Sequence, residues 1–289
     1  MKKTAFVILH YGNWNVTREC VESIMQMKEQ EYIQVLLVDN DETSSVENGE
    51  QTWLDAYENV MVLVNRGDHG FSHANNLGYR FAREQCQAEF ILVLNNDIIF
   101  TQKDFLSRLH YAYRRHACHV LGPGIIKRSN HEPQNPMDTR LRTREEAKYT
   151  IRMNALALKT FPAAYPALCV QERKAREAAL QEKQEKLDDY RNVQKQVVLF
   201  GACLIFTPLF VEKETDAFLP ETQFYYEEYL LALRCLRQDY TMVYDPVMKV
   251  YHESGSATNA AQKTGKAKMR FRLKHTLESC SVYLQELTK

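Results

Sequence analysis

The chain has 289 residues, of which 45% are hydrophobic and 26% charged, a composition that is ordinary for a soluble globular protein. Its 37 basic residues balance 37 acidic ones, so the net charge gives no indication of nucleic-acid binding. Seven cysteines are dispersed without a Cys-x-x-Cys pair, which argues against a disulfide framework and a zinc knuckle and favours buried, reduced thiols in a cytoplasmic protein.

No segment predicts export or membrane insertion. Met1-Lys2-Lys3 leads directly into a short apolar run, which differs from a signal peptide. The longest apolar run, residues 197–211, is interrupted by Gly201, Thr207 and Pro208 and is shorter than the ~20 residues that cross a bilayer. We therefore expect this run to form a strand in the protein core.

The first half of the chain alternates between predicted strands and helices. Apolar runs predict buried strands over residues 4–9, 33–38, 60–64 and 90–94. Helical spacing of apolar residues predicts a helix that begins at a Thr17 cap and a second one over 74–85. This alternation indicates an α/β fold, doubly wound around a mostly parallel sheet, which binds its ligands at the carboxyl edge.

The second half is less regular. A helix is expected over 143–160, and the Glu-, Lys-, Arg- and Gln-rich stretch 171–196 predicts a solvated helix rather than a coiled coil. Sheet-like sequence resumes at Val197. The last segment, 261–289, is predicted to be a helical tail that is basic at its start, from Lys263 to Lys274.

Short polar signals follow two of the predicted strands. Asp39 ends the second strand, where a carboxylate can accept the N3–H of uracil or thymine or can equally serve as a loop or capping residue. The fourth strand runs directly into Asn95-Asn96-Asp97. The side-chain oxygens of this Asn-Asn-Asp segment suit Mg²⁺ or Mn²⁺, although polar residues also end strands for structural reasons.

Three further signals have both a functional and a structural interpretation. Gly70 to Gly78 is rich in small residues, which let a backbone approach a ligand closely or simply form a turn before a helix. The pair Glu227-Glu228 offers a general base, but acids are also favoured at a helix N-terminus. His252 alone would more often be structural.

In this order and spacing, the five signals resemble family-2 glycosyltransferases, which have the GT-A fold, use nucleotide-sugar donors and invert the anomeric carbon. The sequence departs from the family pattern at several positions. Asn95 stands for the first acid of the DXD motif, Glu228 for the usual Asp base, Ser72 and His73 for small residues, and Gly12 for Asn. The resemblance runs from about Thr4 to Ser256 and fits poorly over 127–196.

The resemblance implies roles for individual residues. It implies Glu228, with Glu227, as the catalytic acids, and Asp97, Asn95 and His252 as ligands of Mn²⁺ or Mg²⁺. The implied donor-binding residues are Tyr11, Asp39, Asn40, Gly70, Phe71, Asn75, Asn76, Asn95 and Asn96. It divides the chain into a nucleotide-sugar-binding half (1–126), a helical insertion (127–196), an acceptor-side half (197–260) and the tail (261–289).

The implied activity is transfer of a UDP- or dTDP-linked sugar to a glycan or lipid-linked oligosaccharide in bacterial surface polysaccharide synthesis, such as capsule or O-antigen. The basic tail is expected to contact the inner face of the membrane, while its apolar positions are expected to pack on the domain. Two alternatives stay open, a sugar-phosphate nucleotidyltransferase and a catalytically silent nucleotide-sugar-binding protein. A basic Gly-rich loop after the first strand would favour the former, and residues 10–15 contain none.

Overall fold

The computed structural model describes residues 3–41, 51–65, 70–185, 187–253 and 264–289, and Glu42, Ser254–Ser256 and Lys263 of the sequence motifs lie outside them. The strands are β1 Thr4–His10, β2 Ile33–Asp39, β3 Val60–Val64, β4 Phe90–Asn95, β5 Ile98–Phe100, β6 Val120–Lys127, β7 Gln194–Lys195, β8 Cys203–Phe206 and β9 Met242–His252. The helices are α1 Trp14–Met25, α2 Gly70–Glu84, α3 Phe105–His116, α4 Arg144–Lys159, α5 Phe161–Glu185, α6 Pro208–Val211, α7 Glu227–Arg237 and α8 Gly265–Glu286.

The strands form one nine-stranded sheet in the order β3-β2-β1-β4-β8-β6-β9-β5, with β7 paired to β9. From β3 to β4 all pairs are parallel, which confirms the predicted α/β arrangement of the first half. Beyond β4 the sheet is mixed, because β8 runs antiparallel to both β4 and β6 whereas β6 and β9 are parallel. The predicted strands at 4–9, 33–38, 60–64 and 90–94 are all present within one residue at either end.

Helices cover both faces of the sheet, and two cores result. Successive side chains of a strand point to opposite faces, so Phe6 and Ile8 of β1 enter one core while Ala5 and Val7 enter the other. The first core contains residues of α1 and α3, and the second contains residues of α2 and α7. Burial on both faces explains why these strands read as continuous apolar runs.

Two helices of the first half begin earlier than the sequence predicts. Helix α1 begins at Trp14, because the side chain of Asn13 caps it by accepting the backbone N–H of Asn15 (2.9 Å). The predicted cap Thr17 is therefore wrong, and this residue lies inside the helix, where it contacts His10. Helix α2 begins at Gly70 rather than at 74, so the glycine-rich segment is itself helical.

The second half contains helices near the predicted positions, but the one expected over 171–196 differs: α5 begins at Phe161 and ends at Glu185, and strand β7 lies in the remainder. Helix α4 begins with a capping box between Thr143 and Glu146, and α5 is largely exposed along its charged part. Only strand β8 and helix α6 form within 197–211, so the single strand expected there is shorter. Helix α8 packs on the domain through the fully buried Cys280 and Tyr283, as its apolar positions predict.

Cysteine state and membrane insertion also follow the expectations. All seven cysteines are free thiols, and six of them are buried. Among the described residues, every helix is too short or too polar to cross a bilayer.

Close approach of α2 to the sheet depends on Gly78. A Cβ atom at this position would lie 2.3 Å from Cγ1 of Val7 and 2.8 Å from Cγ2 of Val38. Gly124 of β6 differs, since its nearest neighbour would be 3.4 Å away, which is ordinary contact.

We expect Gly78→Ala to destabilise the fold, although the same change in a helix normally stabilises by up to ~1 kcal/mol. Overpacking against β1 and β2 should outweigh helix propensity and cost about 1–3 kcal/mol in urea unfolding. Gly124→Ala is the matched control and should change the free energy of unfolding much less. A stabilised Gly78→Ala variant would show that α2 and the sheet separate at little cost.

Candidate functional site

The carboxyl ends of three neighbouring parallel strands bring the first candidate residues together. His10 ends β1 and lies in register with Asp39, which ends β2. On the other side of β1, Leu9 is paired with Asn95, the last residue of β4. Asp39 and Asn95 therefore lie at the same edge of the sheet, one on each side of β1, where ligands of such sheets bind.

Asp39, Asp41 and His10 form a compact polar cluster at this edge. The backbone N–H of Asp41 donates to Oδ1 of Asp39 (3.3 Å), and the Asp41 carboxylate accepts from the backbone N–H of Gly12 (3.1 and 3.2 Å). Nε2 of His10 is 3.5 Å from Oδ2 of Asp41. Ligand atoms of the three side chains lie within 4.8 Å of one another, so the cluster can accept a base N–H or offer a mixed N/O ligand set to a cation.

The loop after β1 is held in place by side chains on both sides. The ring of His10 stacks on Trp14 with 3.7 Å between ring centroids, and its Nδ1 is 2.6 Å from Oγ1 of Thr17. Nδ2 of Asn96 donates to the same Thr17 oxygen (2.9 Å) and lies 3.5 Å from the carbonyl of Tyr11. Asn96 thus holds this loop against β4. The contacts of Asn96 and Tyr11 with the nucleotide-sugar donor stay predictions.

Asn40 has a similar holding role at the end of β2. Its backbone N–H donates to the carbonyl of His10 (3.1 Å), and its Oδ1 accepts from Nδ2 of Asn65 (2.7 Å). The backbone N–H of Asn65 in turn donates to the carbonyl of Asp39 (2.9 Å). These bonds join the ends of β1, β2 and β3 and fix the position of Asp39. A contact of Asn40 with the nucleotide-sugar donor stays a prediction.

A second pair of candidate ligands lies at the other end of the Asn95-Asn96-Asp97 segment. Asp97 and His252 are both buried, and Nε2 of His252 is 3.1 Å from Oδ1 of Asp97. The antiparallel pairing of Ile98 with His252 places the two side chains together. The sequence predicts both residues as metal ligands, and the fold brings them into contact across about 155 positions of chain.

Gln134 orients the His252 ring. Its Oε1 is 2.8 Å from Nδ1 of His252, so Nδ1 carries a proton and donates it to this oxygen. Nε2 then meets the Asp97 carboxylate either as a second N–H donor or as a lone pair that shares a cation with it. An imidazole oriented through its other nitrogen is the usual arrangement of a metal-binding histidine.

The glycine-rich segment places the start of α2 against the chain just before α7. Gly70 has a φ of +83°, and a Cβ there would lie 2.5 Å from Cα of Gln223. The backbone N–H of Phe71 donates to the carbonyl of Gln223 (2.7 Å), and Oγ of Ser72 is 3.2 Å from Oγ1 of Thr222. The predicted donor loop therefore packs against Thr222 and Gln223, in the segment that leads into the predicted acid pair.

Asn75 and Asn76 both bond to protein backbone in this arrangement. Nδ2 of Asn75 donates to the carbonyl of Phe71 within the helix (2.9 Å). The amide of Asn76 bonds twice to Phe218, donating to its carbonyl (2.8 Å) and accepting from its N–H (2.9 Å). Asn76 is fully buried and holds the segment before α7 in place. The contacts of Asn75 and Asn76 with the nucleotide-sugar donor stay predictions.

The acid pair follows two residues in a sparsely populated backbone conformation. Tyr225 and Tyr226 both have φ of +67°, and α7 begins at Glu227 directly after them. Such left-handed residues are strained unless the surrounding structure holds them, and they concentrate at functional sites. Glu227 is buried, whereas Glu228 is partly exposed and its Oε1 accepts the backbone N–H of Gly201 (3.2 Å).

Both acids hold their protons more tightly than free carboxyl groups. Burial raises the pKa of Glu228, and hydrogen bonds from the backbone of Glu228 itself and of Gly201 oppose this effect. Burial raises the pKa of Glu227 further, with a second contribution from the neighbouring Glu228 carboxylate. A carboxyl group with a raised pKa is a stronger base once it ionises, which suits proton removal from a hydroxyl.

Residues 200–202 connect the separate parts of the site. The carbonyl of Ala202 accepts the backbone N–H of Asn95 (3.0 Å), and Gly201 donates to Glu228. The ring of Phe200 lies 5.9 Å from that of His252, measured between centroids. One short segment thus contacts the strand-end Asn95, the acid Glu228 and the histidine.

Sequence reasoning missed several residues of this region. His10 follows a strand just as Asp39 does, so its position could have identified it. Asp41 lies two positions after Asp39, but neither the strand-end pattern nor the resemblance assigns it a role. Gln134 lies in an irregular segment, and only the folded structure places it on His252.

Two surface pockets lie away from these residues. One of about 210 Å³ is lined by residues of α7 and the 196–198 segment, and another of about 350 Å³ lies between α1 and β5. Neither is lined by Asp39, Asp97 or Glu228. We assign the candidate site from the chemistry at the strand ends, because an open cleft for an extended donor need not be the most enclosed cavity.

The chain is similar in sequence and fold to several known glycosyltransferases. A hexosyltransferase of low-salt glycan biosynthesis, Agl10 from Haloferax volcanii, is 26% identical over 93 residues, which are 32% of this chain and 28% of that protein. The mannosyltransferase PcManGT from Pyrobaculum calidifontis, solved with GDP-Man and Mn²⁺, superposes with a TM-score of 0.54 at 11% identity over 99% of this chain and 75% of that chain.

Two other transferases have the same fold. GalNAc-T7, solved with UDP, GalNAc and Mn²⁺, has a TM-score of 0.61 at 10% identity over 100% of this chain and 48% of that chain. TarS of S. aureus has a TM-score of 0.53 at 13% identity over 86% of this chain and 36% of that chain. At these identities the superpositions show a shared GT-A fold, and this chain spans half or less of either protein.

The model of the family described as Glycosyl transferase family 2 matches residues 5–178, more than half of the sequence. The match includes the Asp39 cluster, the start of α2 and the Asn95-Asn96-Asp97 segment. The chain therefore belongs to glycosyl transferase family 2.

Proposed function

We propose that this glycosyltransferase moves a sugar from a UDP- or dTDP-linked donor to a hydroxyl of a glycan or lipid-linked oligosaccharide, with inversion at the anomeric carbon. The observation that carries the proposal is the meeting of Asn95, Glu228 and His252 on residues 200–202. This meeting supports Glu228, whose pKa is raised, as a base beside the strand end where the donor diphosphate is expected. Bacterial surface polysaccharide synthesis, with peripheral contact at the inner membrane face, is the proposed setting.

In the proposed reaction the acceptor oxygen attacks the anomeric carbon as Glu228 takes the hydroxyl proton. The bond from that carbon to the donor diphosphate breaks on the opposite side, and a direct displacement of this kind inverts the configuration. The Gly201 N–H keeps the Glu228 carboxylate in position for the proton transfer. Glu227 is buried behind it and is the second candidate for the base.

Asp97 and His252 fit a divalent cation by their chemistry. A carboxylate oxygen and an imidazole nitrogen 3.1 Å apart, with the second imidazole nitrogen bonded to Gln134, form a mixed O/N ligand pair. Asn95 is the third proposed ligand. A bound Mn²⁺ or Mg²⁺ supplies charge neutralisation for the departing nucleoside diphosphate.

Asp39 is proposed to accept the N3–H of a uracil or thymine base. Its cluster with His10 and Asp41 also has the composition of a cation site, so the two roles must be separated by experiment. We favour the base-binding role, because the two Asp41 oxygens are already bonded to the Gly12 backbone and His10 is held by Thr17 and Trp14.

The alternative functions have less support. The family match makes a sugar-phosphate nucleotidyltransferase unnecessary to explain the fold or the strand-end residues. A silent binding protein would retain the Asp39 cluster without needing the hydrogen bond from Gly201 that holds Glu228. Turnover of UDP- and dTDP-sugars with hydroxyl acceptors, followed as nucleotide release and as product mass, tests the proposal directly, and donor binding without turnover by any acceptor would favour the silent protein.

The cation role of Asp97 predicts metal-coupled nucleotide binding. Calorimetry should show tighter UDP binding with Mn²⁺ than with EDTA, and Asp97→Asn should remove the difference. Gln134→Leu should weaken Mn²⁺ affinity by roughly 10-fold to 100-fold, the usual effect of losing the partner that orients a ligand. The control is Asp245→Asn, since Asp245 forms another buried pair with His116 (2.9 Å) away from the site. Equal UDP affinity with Mn²⁺ and EDTA would contradict the assignment.

The base role of Glu228 predicts a loss of turnover without a loss of binding. Glu228→Gln should lower kcat by ~10²-fold or more while the donor Kd stays nearly unchanged. In the intact enzyme kcat/KM should fall as the pH drops through the raised pKa of this group, because only the ionised carboxylate accepts a proton. The variant should lack this acid limb. Full activity in Glu228→Gln together with its loss in Glu227→Gln would move the base to Glu227.

The base-binding role of Asp39 predicts a pyrimidine preference. In thermal shift, UDP and dTDP should protect more than GDP and ADP. A hydrogen bond to a charged group contributes about 1.5–3 kcal/mol, so Asp39→Ala should weaken UDP by roughly 10-fold to 100-fold and narrow the preference. Asp39→Asn keeps an acceptor oxygen and should retain part of the pyrimidine preference. If Asp39→Ala removes the Mn²⁺ dependence of UDP binding without changing the base preference, the cluster is a cation site.

A further inference from the structure

Helix α4 exposes an apolar stripe. Tyr149, Met153 and Leu156 recur at helical spacing and are 65%, 40% and 54% exposed. At the next helix, α5 presents Pro162, Ala163, Pro166, Ala167 and Val170 to solvent in its first turns. Apolar side chains concentrated on one exposed region usually mark an interaction surface.

The charges beside this stripe have one sign. Between Glu146 and Glu172 the sequence contains no acidic residue but three basic ones, Lys148, Arg152 and Lys159. Arg152 lies three positions after Tyr149 and four before Leu156, so it adjoins the apolar stripe on the helix surface. Lys159 is likewise one turn from Leu156. The long stems of Arg and Lys can lie along apolar surface while their charged ends reach outward.

Helix α8 brings further basic residues to the same place. It runs antiparallel to α4, since Sγ of Cys280 contacts the carbonyl of Ala147 and the hydroxyl of Tyr283 donates to the carbonyl of Arg142 (2.7 Å). Its first turn therefore reaches the junction of α4 and α5, where Nζ of Lys266 lies 5.4 Å from the ring centre of Tyr165. Residues 264–277 contain five basic and no acidic residues.

We propose that this α4–α5 surface, formed by Tyr149, Met153, Leu156, Arg152, Lys159 and the basic start of α8, docks the enzyme on an anionic phospholipid bilayer. A shallow apolar stripe beside cationic side chains is complementary to acyl chains below phosphate headgroups. The proposal deepens the peripheral membrane contact of the proposed function and adds an apolar part to it. The apolar positions of the tail pack on the domain as expected, with Tyr283 buried and Val282, Leu284 and Leu287 partly buried. The apolar contact with the bilayer is therefore assigned to α4.

A bilayer contact through α4 and one centred on α8 predict that different residues matter for binding. Arg272 of α8 forms a two-pronged ion pair with Glu172 of α5 (2.6 and 2.8 Å), so it holds the helices together. Arg152 and Lys159, by contrast, have no acid within five sequence positions. Bilayer binding should therefore depend most on α4 and less on Arg272.

Vesicle co-sedimentation of the full chain tests this surface. The protein should bind phosphatidylcholine vesicles that contain phosphatidylglycerol, should not bind pure phosphatidylcholine, and should be released by high salt. Arg152→Glu/Lys159→Glu should lower the partition coefficient by roughly tenfold or more. Tyr149→Ser/Met153→Ser/Leu156→Ser should also weaken binding, since the stripe inserts.

The matched control is on helix α3, which also exposes a tyrosine and two arginines. Tyr111→Ser/Arg114→Glu/Arg115→Glu makes comparable changes of size and charge on another face and should leave vesicle binding unchanged. Circular dichroism and UDP affinity confirm that each variant is folded, and they report on the donor site independently of the vesicle readout. Absence of binding to anionic vesicles at low salt overturns the proposal, as does equal binding by the intact chain and the α4 variants.

Discussion

The candidate site depends on the contacts made by residues 200–202, which lie directly before β8. Residues 200–202 accept the Asn95 N–H, donate to the Glu228 carboxylate and place Phe200 beside His252, while Oδ1 of Asn135 accepts the Phe200 N–H (3.0 Å). These contacts join the parallel half of the sheet, which carries the donor-side residues, to α7, which carries the acids. Because β8 runs antiparallel to β4, its first residues meet the last residues of β4. The antiparallel strand therefore brings Glu228, the proposed base, close to Asn95 at the edge of the parallel strands.

Several residues predicted to bind the donor also form hydrogen bonds that hold the site together. Asn40, Asn76 and Asn96 each use their side-chain amides on backbone or on other side chains, and each is buried. Buried amides must be bonded, and an Asn can satisfy two backbone groups at once in a way that an apolar residue cannot. A motif that reads as ligand chemistry can therefore encode the geometry that holds the ligand groups. Asp39, Asp97 and Glu228 carry the ionisable groups that remain for chemistry.

The strands and the edge of the sheet could be predicted from the sequence because their signals are local. The run 60–64 is apolar in itself, and Asp39 and Asn95 follow such runs directly, so the strand-end rule sufficed. Non-local pairings could not be predicted this way. Gln134 reaches His252 from 118 positions away, and the early start of α1 depends on an Asn13 cap that competes with an equally plausible one at Thr17. The exposed apolar stripe of α4 could not be predicted for the same reason, because its exposure depends on which helices pack against it.

The replacement of the usual Asp base by Glu228 has a structural counterpart in Gly201. A Cβ at Gly201 would lie 2.8 Å from Oε1 of Glu228, so glycine leaves the space that the longer side chain occupies. The absent side chain also exposes the Gly201 N–H, which holds the carboxylate at 3.2 Å. An extra methylene normally adds conformational freedom that a general base must lose, and this hydrogen bond restricts it. The space at Gly201 and its hydrogen bond are therefore compatible with the proposed role of Glu228 as the base.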